Sequence, residues 1–414
     1  MPHFVTKSSL RAHSTKALIA SLMALIMCSN VPRSEGSKIQ VDNRLTAASS
    51  RFSLKLYDQI RKRDTSKNTF VSPTSIMLAL AMTYNGSNGT TREAMARALE
   101  IDGMSLEDAN QAFADLKSML APTDPKIQLK IANLLWARKG FTMKPAFLER
   151  NKQYFGAEIA SLDFGDPAAA QTINSWVSKA TEGKIEKIVN QIGSDDVLFL
   201  INAIYFKGRW QFEFDKQKTK PDVFKVAGGA QKELPMMSQS GSYFYNEGKD
   251  FQSVALPYGK GGVSMYVFLP NEQTGLDQFE KSLTPENWDT WMRSFGARSG
   301  IVMLPRFKVE WEQNLNETLK SLGMAEAFDE RADFSQIAEP VAGNKIFISE
   351  VLHKSWCEVN EEDTVAAAAT SVRMGVTSAP PPPFVMKVDR PFFFAIRDNK
   401  TGFVLFMGSV RNPE

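Results

Sequence analysis

The order of helical and strand-like periodicity along the chain is the feature that most limits its fold. In the first half, apolar residues recur with the helical period behind capping signals at Ser72, Thr90 and Ser105, with one alternating run, IQLKIANLLWAR, between them and the later helical segments. From Val197 onward, strand-like runs dominate, among them VLFLINAIYFKGRW, VSMYVFLP and FVMKVDRPFFFAIRD. Helices early and long strands late are typical of an α+β fold around large sheets. We find no internal repeat and no long linker, so residues 45–414 are expected to form a single domain.

Residues 1–36 differ from the rest and are interpreted as a signal or leader segment. Lys7, Arg11 and Lys16 precede the uncharged run ALIASLMALIMC, which has the length of a signal-peptide core and is short of the roughly 20 apolar residues of a membrane span. This pattern predicts export to an extracellular or periplasmic compartment. Lipid attachment at Cys28 is not expected, because Met27 before it is bulkier than that processing normally tolerates.

Histidine is almost absent beyond the leader, which argues against catalysis. His3 and His13 lie in the leader, so His353 alone remains for a metal site or a nucleophile relay. In the strand-like segment SEVLHKSWCEVN, Cys357 would lie about 13 Å from His353 along a strand, too far for a relay. His353 is therefore interpreted as a buried histidine with satisfied hydrogen bonds.

Other enzyme and nucleic-acid signatures are also missing. The chain contains no phosphate-binding glycine motif after a strand, and GKGG (259–262) is interpreted as a hairpin turn. Acidic and basic residues nearly cancel to a net charge of +3, so the chain lacks the strongly positive potential that would attract nucleic acid. We expect no catalytic residue, no metal, no cofactor and no nucleic-acid partner.

The stretch EVNEEDTVAAAATSVRMGVTSAPPPPF (358–384) has the pattern of a loop that could become a strand. In an extended conformation, Thr364, Ala366, Ala368 and Thr370 lie on one face, which becomes more apolar toward its C-terminal end, while Arg373 lies on the other. The four prolines cannot donate to a sheet and would end any insertion. Alanine tracts beside prolines are also typical of flexible linkers and helix ends, and that interpretation stays open for this segment taken alone.

Several motifs, in their order along the chain, resemble those of the serpin family. The segments are NTFVSPTSI, INSWVSKATEGKI, INAIYFKGRW, ALPYG, LPRFKVE, HKSWCEVNEE, EVNEEDTVAAAATSV, VDRPFFFAIRD and GFVLFMGSVRNP. The likeness extends from Leu45 to Pro413. Any one of these segments is a weak signal, and their joint occurrence in order is a specific one.

The resemblance implies a fold, a mechanism and a set of site residues. The implied fold has three β-sheets, about nine helices and an exposed reactive-centre loop, here residues 361–383. A serine protease would attack this loop, form a covalent acyl-enzyme and be trapped as the cleaved loop enters the largest sheet. The implied hinge residues are Glu361, Glu362, Asp363, Thr364, Val365, Ala366, Ala367, Ala368 and Ala369. The implied shutter and breach residues, around the opening of that sheet, are Ser72, Pro73, Ser75, Asn202, Trp210 and His353.

The resemblance also implies where the protease cuts. Counting seventeen positions from Glu361 places the reactive bond between Thr377 and Ser378. A small β-branched residue there favours an elastase-like or subtilisin-like protease. A trypsin-like enzyme would prefer Arg373, but cutting there would leave too short a loop for complete insertion. Met374 and Val376 are further alternatives.

Two departures from the family pattern leave other functions open. Asp363 stands where the family favours glycine, which points to a non-inhibitory serpin acting as a binding or chaperone protein. The connection after the cut site, SAPPPPFVMKVDRPF, is about three residues longer than is usual in the family. Inhibition of a cysteine protease is a further alternative. The segment 105–126 carries four acidic residues and two lysines, so no heparin-type activation is expected, and the protein is expected to be a monomer.

Overall fold

A computed structural model describes residues 41–121, 124–157, 159–193, 195–339, 345–361 and 382–413. Within these ranges the chain forms nine α-helices and fourteen strands, which confirms the α+β class. The helices are α1 Asn43–Arg61, α2 Pro73–Tyr84, α3 Gly89–Ala98, α4 Leu106–Leu120, α5 Pro145–Phe155, α6 Ala169–Ala180, α7 Gly275–Lys281, α8 Pro285–Ser294 and α9 Asn316–Leu319.

The strands are concentrated in the second half of the chain, as the periodicity predicts. They are β1 Thr69–Val71, β2 Ile127–Arg138, β3 Ile159–Leu162, β4 Leu198–Gly208, β5 Lys220–Lys225, β6 Gln231–Glu247, β7 Phe251–Tyr258, β8 Val263–Pro270, β9 Gly296–Pro305, β10 Phe307–Asn314, β11 Glu350–Val359, β12 Phe384–Lys387, β13 Phe392–Asp398 and β14 Val404–Val410. The GKGG segment joins β7 to β8 as an antiparallel hairpin, as predicted.

One sheet has five strands in the order β10-β11-β4-β2-β3. Its centre is a parallel pair, β4 and β11, which runs in register from Phe199 beside Glu350 to Phe206 beside Cys357. On either side of this pair the neighbours are antiparallel: β10 pairs with β11, and β2 pairs with β4. A parallel pair is therefore enclosed by antiparallel ones.

The second sheet has nine strands, ordered β1-β14-β13-β8-β7-β6-β9-β12, with β5 also paired to β6. The resemblance implied three sheets, and the third is continuous with this one through the long strand β6. The first part of β6 pairs with β5, most of its length with β9, and its last residues with β7. One uninterrupted strand thus connects what were expected as separate sheets.

Strand β4 is buried on both of its faces. Leu198, Leu200 and Ile204 belong to the main core that also contains α2, whose twelve residues are all buried. Phe199 and Ile201, on the opposite face, pack with Ile173 and Val177 of α6 and form a second, smaller core. Such a strand is continuously apolar, as the run VLFLINAIYF indicates.

Two of the three expected helix caps are present, and the third is displaced. The hydroxyls of Ser72 and Ser105 accept hydrogen bonds from backbone N–H groups three residues later. The prediction at Thr90 is wrong, because α3 begins at Gly89 after Asn88. The Asn88 backbone N–H donates to the Asp333 carbonyl at 2.8 Å, so a distant contact sets this helix start.

Candidate functional site

The buried polar residues at the N-terminus of α2 meet the middle of the parallel pair. Asn202 on β4 and His353 on β11 are directly opposite each other in the strand register. The Ser72 backbone N–H donates to His353 Nε2 at 3.3 Å, and the Ser72 hydroxyl donates to the Leu405 carbonyl at 2.6 Å. All four predicted residues of this group, Ser72, Ser75, Asn202 and His353, have no exposed surface. The structure brings them together.

The hydrogen bonds determine which nitrogen of His353 carries the proton. Because Nε2 accepts from a backbone N–H, the proton is on Nδ1, which donates to Asn202 Oδ1. The Asn202 amide nitrogen then donates to Ser75 Oγ at 2.6 Å and to Asn133 Oδ1. Both ring nitrogens are engaged, and the Ser72 hydroxyl faces Leu405, so this group is not a serine–histidine relay.

Burial determines the charge state of the two titratable groups on β11. Desolvation lowers the pKa of His353 to about 3, against a smaller opposing effect of the Asn202 backbone. Desolvation also raises the pKa of Cys357 to about 12, with a further contribution from the Glu358 charge. A neutral imidazole and a protonated thiol are the forms present at neutral pH.

The start of the reactive loop is held by residues from three segments. The Trp210 indole N–H donates to the Asn360 carbonyl at 2.9 Å, and the Trp210 ring stacks on Tyr258 with centroids 4.4 Å apart. Glu361, whose side chain is 2% exposed, accepts hydrogen bonds from Thr219 Oγ1 and Arg306 Nε, both at 2.5 Å. Burial would raise the pKa of Glu361, but these two hydrogen bonds, a backbone hydrogen bond and the Arg306 charge together lower the pKa.

The end of the reactive loop is held by aromatic packing. The Phe384 ring stacks on Tyr245 with centroids 3.8 Å apart and lies edge-on to Tyr243 at 5.9 Å. In the strand register Phe384 is opposite Gly300, where a β-carbon would lie 2.3 Å from the Phe384 ring. Only a glycine at position 300 leaves room for this ring.

The remaining predicted site residues differ in what the structure describes. Pro73 is the first residue of α2, directly behind the Ser72 cap. The hinge residues Glu362, Asp363, Thr364, Val365, Ala366, Ala367, Ala368 and Ala369, and the bond between Thr377 and Ser378, lie outside the described residues.

Three contributors were missed in the sequence. Asn133 joins the polar group from β2, and Thr219 and Arg306 hold Glu361. Asn133 is a polar residue inside an apolar alternating run, which is a usable signal. Thr219 lies in the polar segment DKQKTKPD, which gives no such signal, and Arg306, between Pro305 and Phe307, gives no sign that it would contact Glu361.

Comparison with known proteins gives one consistent family. A family model described as "Serpin (serine protease inhibitor)" matches residues 47–413. The leukocyte elastase inhibitor of Sus scrofa is 36% identical over 383 residues, which cover 89% of this chain and 100% of that protein. Iripin-2 of Ixodes ricinus is 34% identical, with 95% of this chain and 98% of that protein covered.

A solved structure gives the same result for the fold. The native state of the thermophilic serpin tengpin superposes with a TM-score of 0.82 at 34% identity, covering 91% of this chain and 96% of that one. None of the helices in the described ranges combines the length and apolar character that crossing a membrane requires.

Proposed function

This chain belongs to the serpin family, and we propose that it is an irreversible suicide-substrate inhibitor of a serine protease. The protease serine attacks the Thr377 carbonyl carbon, the bond to Ser378 breaks, and the new amine of Ser378 leaves. The acyl-enzyme is covalent. When the cleaved loop inserts into the five-stranded sheet, the attached protease is carried with it and its active site is distorted, so that the acyl bond is not hydrolysed. The family description and the elastase-inhibitor relatives support serine protease inhibition in general.

The observation that carries the proposal is the parallel pair at the centre of an otherwise largely antiparallel sheet. The chain leaves β11 at Val359, so a strand formed by the following residues would turn back and run antiparallel to β11. Since β4 is parallel to β11, the same strand would also be antiparallel to β4. Inserting it between them replaces one parallel ladder with two antiparallel ones, which are slightly more stable per residue.

The composition of the hinge supports this step. Both faces of β4 are packed against core residues, so an inserted neighbour has to carry small or apolar side chains. Thr364 and the four alanines 366–369 have that character. The uncleaved form would then be kinetically trapped above the inserted one.

Thr377 at the reactive bond favours an elastase-like or subtilisin-like target. A small β-branched side chain fits a shallow primary pocket. The names of several relatives, among them the leukocyte elastase inhibitors of Sus scrofa and Bos taurus, agree with this class of target.

Covalent trapping can be tested by mixing the protein with an elastase-like and a subtilisin-like protease. We expect a denaturation-resistant band at the summed mass and a released peptide that begins at Ser378 by mass spectrometry. A protease whose active serine is already blocked is the matched control and gives no such band. Complete cleavage by both active enzymes with no covalent band would contradict the proposal.

Asp363 favours a second candidate, a non-inhibitory serpin that binds or chaperones another molecule. A charge at this position would oppose the first step of insertion. Asp363→Gly discriminates the two functions: an unchanged ratio of complex to cleaved product means that Asp363 is harmless, while complex that forms only with the glycine variant supports the second candidate. A cysteine protease target is tested in the same assay with a papain-like enzyme.

We also infer export, a monomeric state, no catalytic activity of its own and no heparin-type activation. Export is supported by the basic residues and apolar run of the leader, residues 1–36. N-terminal sequencing of the protein from an expressing cell tests it, because export predicts a start beyond Cys28. Light scattering tests the monomer, and inhibition rates with and without heparin test the last inference.

A further inference from the structure

Strand β4 ends in two basic residues beside a recess of about 370 Å³. Phe206 belongs to the main core, so Lys207 and Arg209, one and three positions further along the extended chain, lie on the opposite, outward face of the sheet. Lys126, which precedes β2, lies beside Arg209, whose backbone N–H donates to the Lys126 carbonyl at 2.9 Å. Lys126, Lys207 and Arg209 all line the cavity, and we call them the basic recess.

The basic recess has a strongly one-sided charge. Among the described residues that line it, none is acidic. Asp124 precedes it along the chain, but the two oxygens of this carboxylate accept hydrogen bonds from the backbone N–H groups of Lys126 and Lys260, at 3.0 and 2.7 Å. The recess is therefore suited to an anionic group.

The register of the parallel pair determines which part of an inserted strand would reach the recess. Cys357 on β11 is level with Phe206 on β4. Glu358 is therefore level with Lys207, and the position two residues further along β11 is level with Arg209. Any residue that enters between the two strands at these levels has a basic side chain as its neighbour on the outward face of β4.

Asp363 is the hinge residue that would arrive at these levels. When Thr364 points to the interior, Asp363 points to the outward face. The inserted strand is antiparallel to β11, and opposed residues of neighbouring strands share a face. With the shortest turns after β11, Asp363 is level either with Arg209 or with Lys207. Both registers place a carboxylate beside a cation.

One carboxylate of the described residues lies near the same point. Glu358 is exposed on the outward face of β11, and Lys308, also exposed, is directly opposite it on β10. Around the entry of the hinge, the four cations Lys126, Lys207, Arg209 and Lys308 therefore outnumber this one described anion. The net field favours a negative charge on the incoming strand.

We propose that the basic recess receives the carboxylate of Asp363 as the hinge enters the sheet, which makes Asp363 a positioning residue for the first step of insertion. This inference rests on the proposed function. A charge that loses water without gaining a partner opposes insertion, whereas opposite charges on one face of neighbouring strands stabilise their pairing. The residue that departs from the family pattern is thereby matched by the cations at the end of β4.

The ratio of covalent complex to cleaved product, measured with an elastase-like protease, tests this pairing. Insertion and deacylation compete only after the protease is attached, so a change in how fast the protease binds leaves the ratio unchanged. We expect Lys207→Gln/Arg209→Gln to lower the ratio at least about threefold when residue 363 is Asp, and by less than about 1.5-fold in the Asp363→Gly background.

Two further variants separate charge from other effects. Lys207→Arg/Arg209→Lys exchanges the side chains but keeps both charges, so it should recover at least about half of the lost ratio. The matched control is Lys249→Gln/Arg293→Gln, which removes one exposed lysine and one exposed arginine outside the recess and should keep the wild-type ratio. Circular dichroism checks that each variant folds, and the single variants Lys207→Gln and Arg209→Gln replace the double variant if it does not.

The outcomes distinguish this inference from the proposed function. No loss of ratio when residue 363 is Asp, or an equal or larger loss in the Asp363→Gly background, overturns the inference and leaves the proposed function standing. If wild type forms no covalent complex with the proteases tested, the proposed function fails, and the inference, which needs insertion, falls with it.

Discussion

At the scale of single residues, the polar cluster of Ser72, Ser75, Asn133, Asn202 and His353 determines how the parallel pair is held together. Hydrogen bonds between elements join β2, β4, β11 and the start of α2, because Asn202 donates to Ser75 and Asn133, and the Ser72 backbone N–H donates to His353. A buried polar group that loses its partner costs roughly 1–3 kcal/mol. The cluster therefore opposes separation of β4 from β11 until an inserted strand or water replaces those partners.

The buried imidazole of His353 makes stability depend on pH in a defined window. Its folded pKa of about 3 is below the unfolded value of 6.5, so the unfolded chain binds more protons between these values. The contribution is complete above about pH 6.5 and is lost as the pH falls toward 3, by about 1.4 kcal/mol per unit. Between pH 7.5 and pH 5, urea unfolding of wild type should lose about 2 kcal/mol more than that of His353→Gln. Equal losses would contradict the assigned charge state.

The hydrogen-bonded pair of Glu361 and Arg306 should contribute measurably to holding the start of the loop. Because the Arg306 side chain is 44% exposed, water screens the pair, and we expect a coupling free energy of about 1 kcal/mol. A double-mutant cycle with Glu361→Gln and Arg306→Gln in urea measures it. The exposed pair Glu317–Lys320 is the control, and its coupling should be much weaker because both side chains are solvated. Equal coupling in the two cycles would show that the Glu361 pair has no special role.

The resemblance to the family, and not local polarity, grouped four of the cluster residues in advance, and their role at the opening of the sheet stays a prediction. Ser72, Ser75, Asn202 and His353 stand in apolar surroundings, and the structure places them together. Asn133 carried the same signal inside IQLKIANLLWAR and was missed. Thr219 and Arg306 could not be found, because only the tertiary fold brings them to Glu361.

At the scale of elements, the hinge has to become a strand with one face accepted by the sheet. Thr364 is expected on the face that is buried first, so Thr364→Arg should reduce covalent complex formation at least about tenfold, because an unpaired charge would enter the interior. Ser371→Arg places the same charge on the face that already carries Arg373 and should have a smaller effect. Complex formation with elastase measures both, and circular dichroism checks the fold. Full inhibition by Thr364→Arg would contradict insertion.

The length of the inserted segment should also matter. A cut after Arg373 leaves four residues fewer than a cut after Thr377, so the protease would remain attached too close to its starting position. Brief treatment with trypsin should therefore abolish later inhibition of elastase. Arg373→Gln should keep its inhibition after the same treatment, and loss of activity in both proteins would place the damaging cut elsewhere.

Elements with strong periodicity were predicted well, and those set by tertiary contacts were not. The runs at β4, β8 and β13 are apolar enough to be identified without a structure. The strand β6 was missed, because most of its residues are exposed or half-buried and its sequence, QKELPMMSQSGSYFYNE, alternates only in part. That strand also joins the second and third expected sheets, so their continuity could not be predicted from the remaining runs.

At the scale of the whole molecule, the account requires two states of one chain. In the state described here, β4 and β11 are paired directly, and both ends of the reactive loop are held by Trp210, Glu361 and Phe384. In the other state, the cleaved loop lies between β4 and β11. The difference in free energy between these two states would drive trapping. The uncleaved inhibitor would then persist because a kinetic barrier separates it from the inserted state.

Amide hydrogen exchange of residues 364–376, before and after a single cut between Thr377 and Ser378, tests this most directly. An inserted strand has its backbone N–H groups in two ladders, so exchange in the cleaved protein should slow by about a hundredfold or more relative to the intact loop. Peptides of β4 and β11 should remain protected, which controls for unfolding. If residues 364–376 exchange at the same rate in the cleaved and intact proteins while β4 and β11 stay protected, the loop does not enter the sheet and the account is wrong.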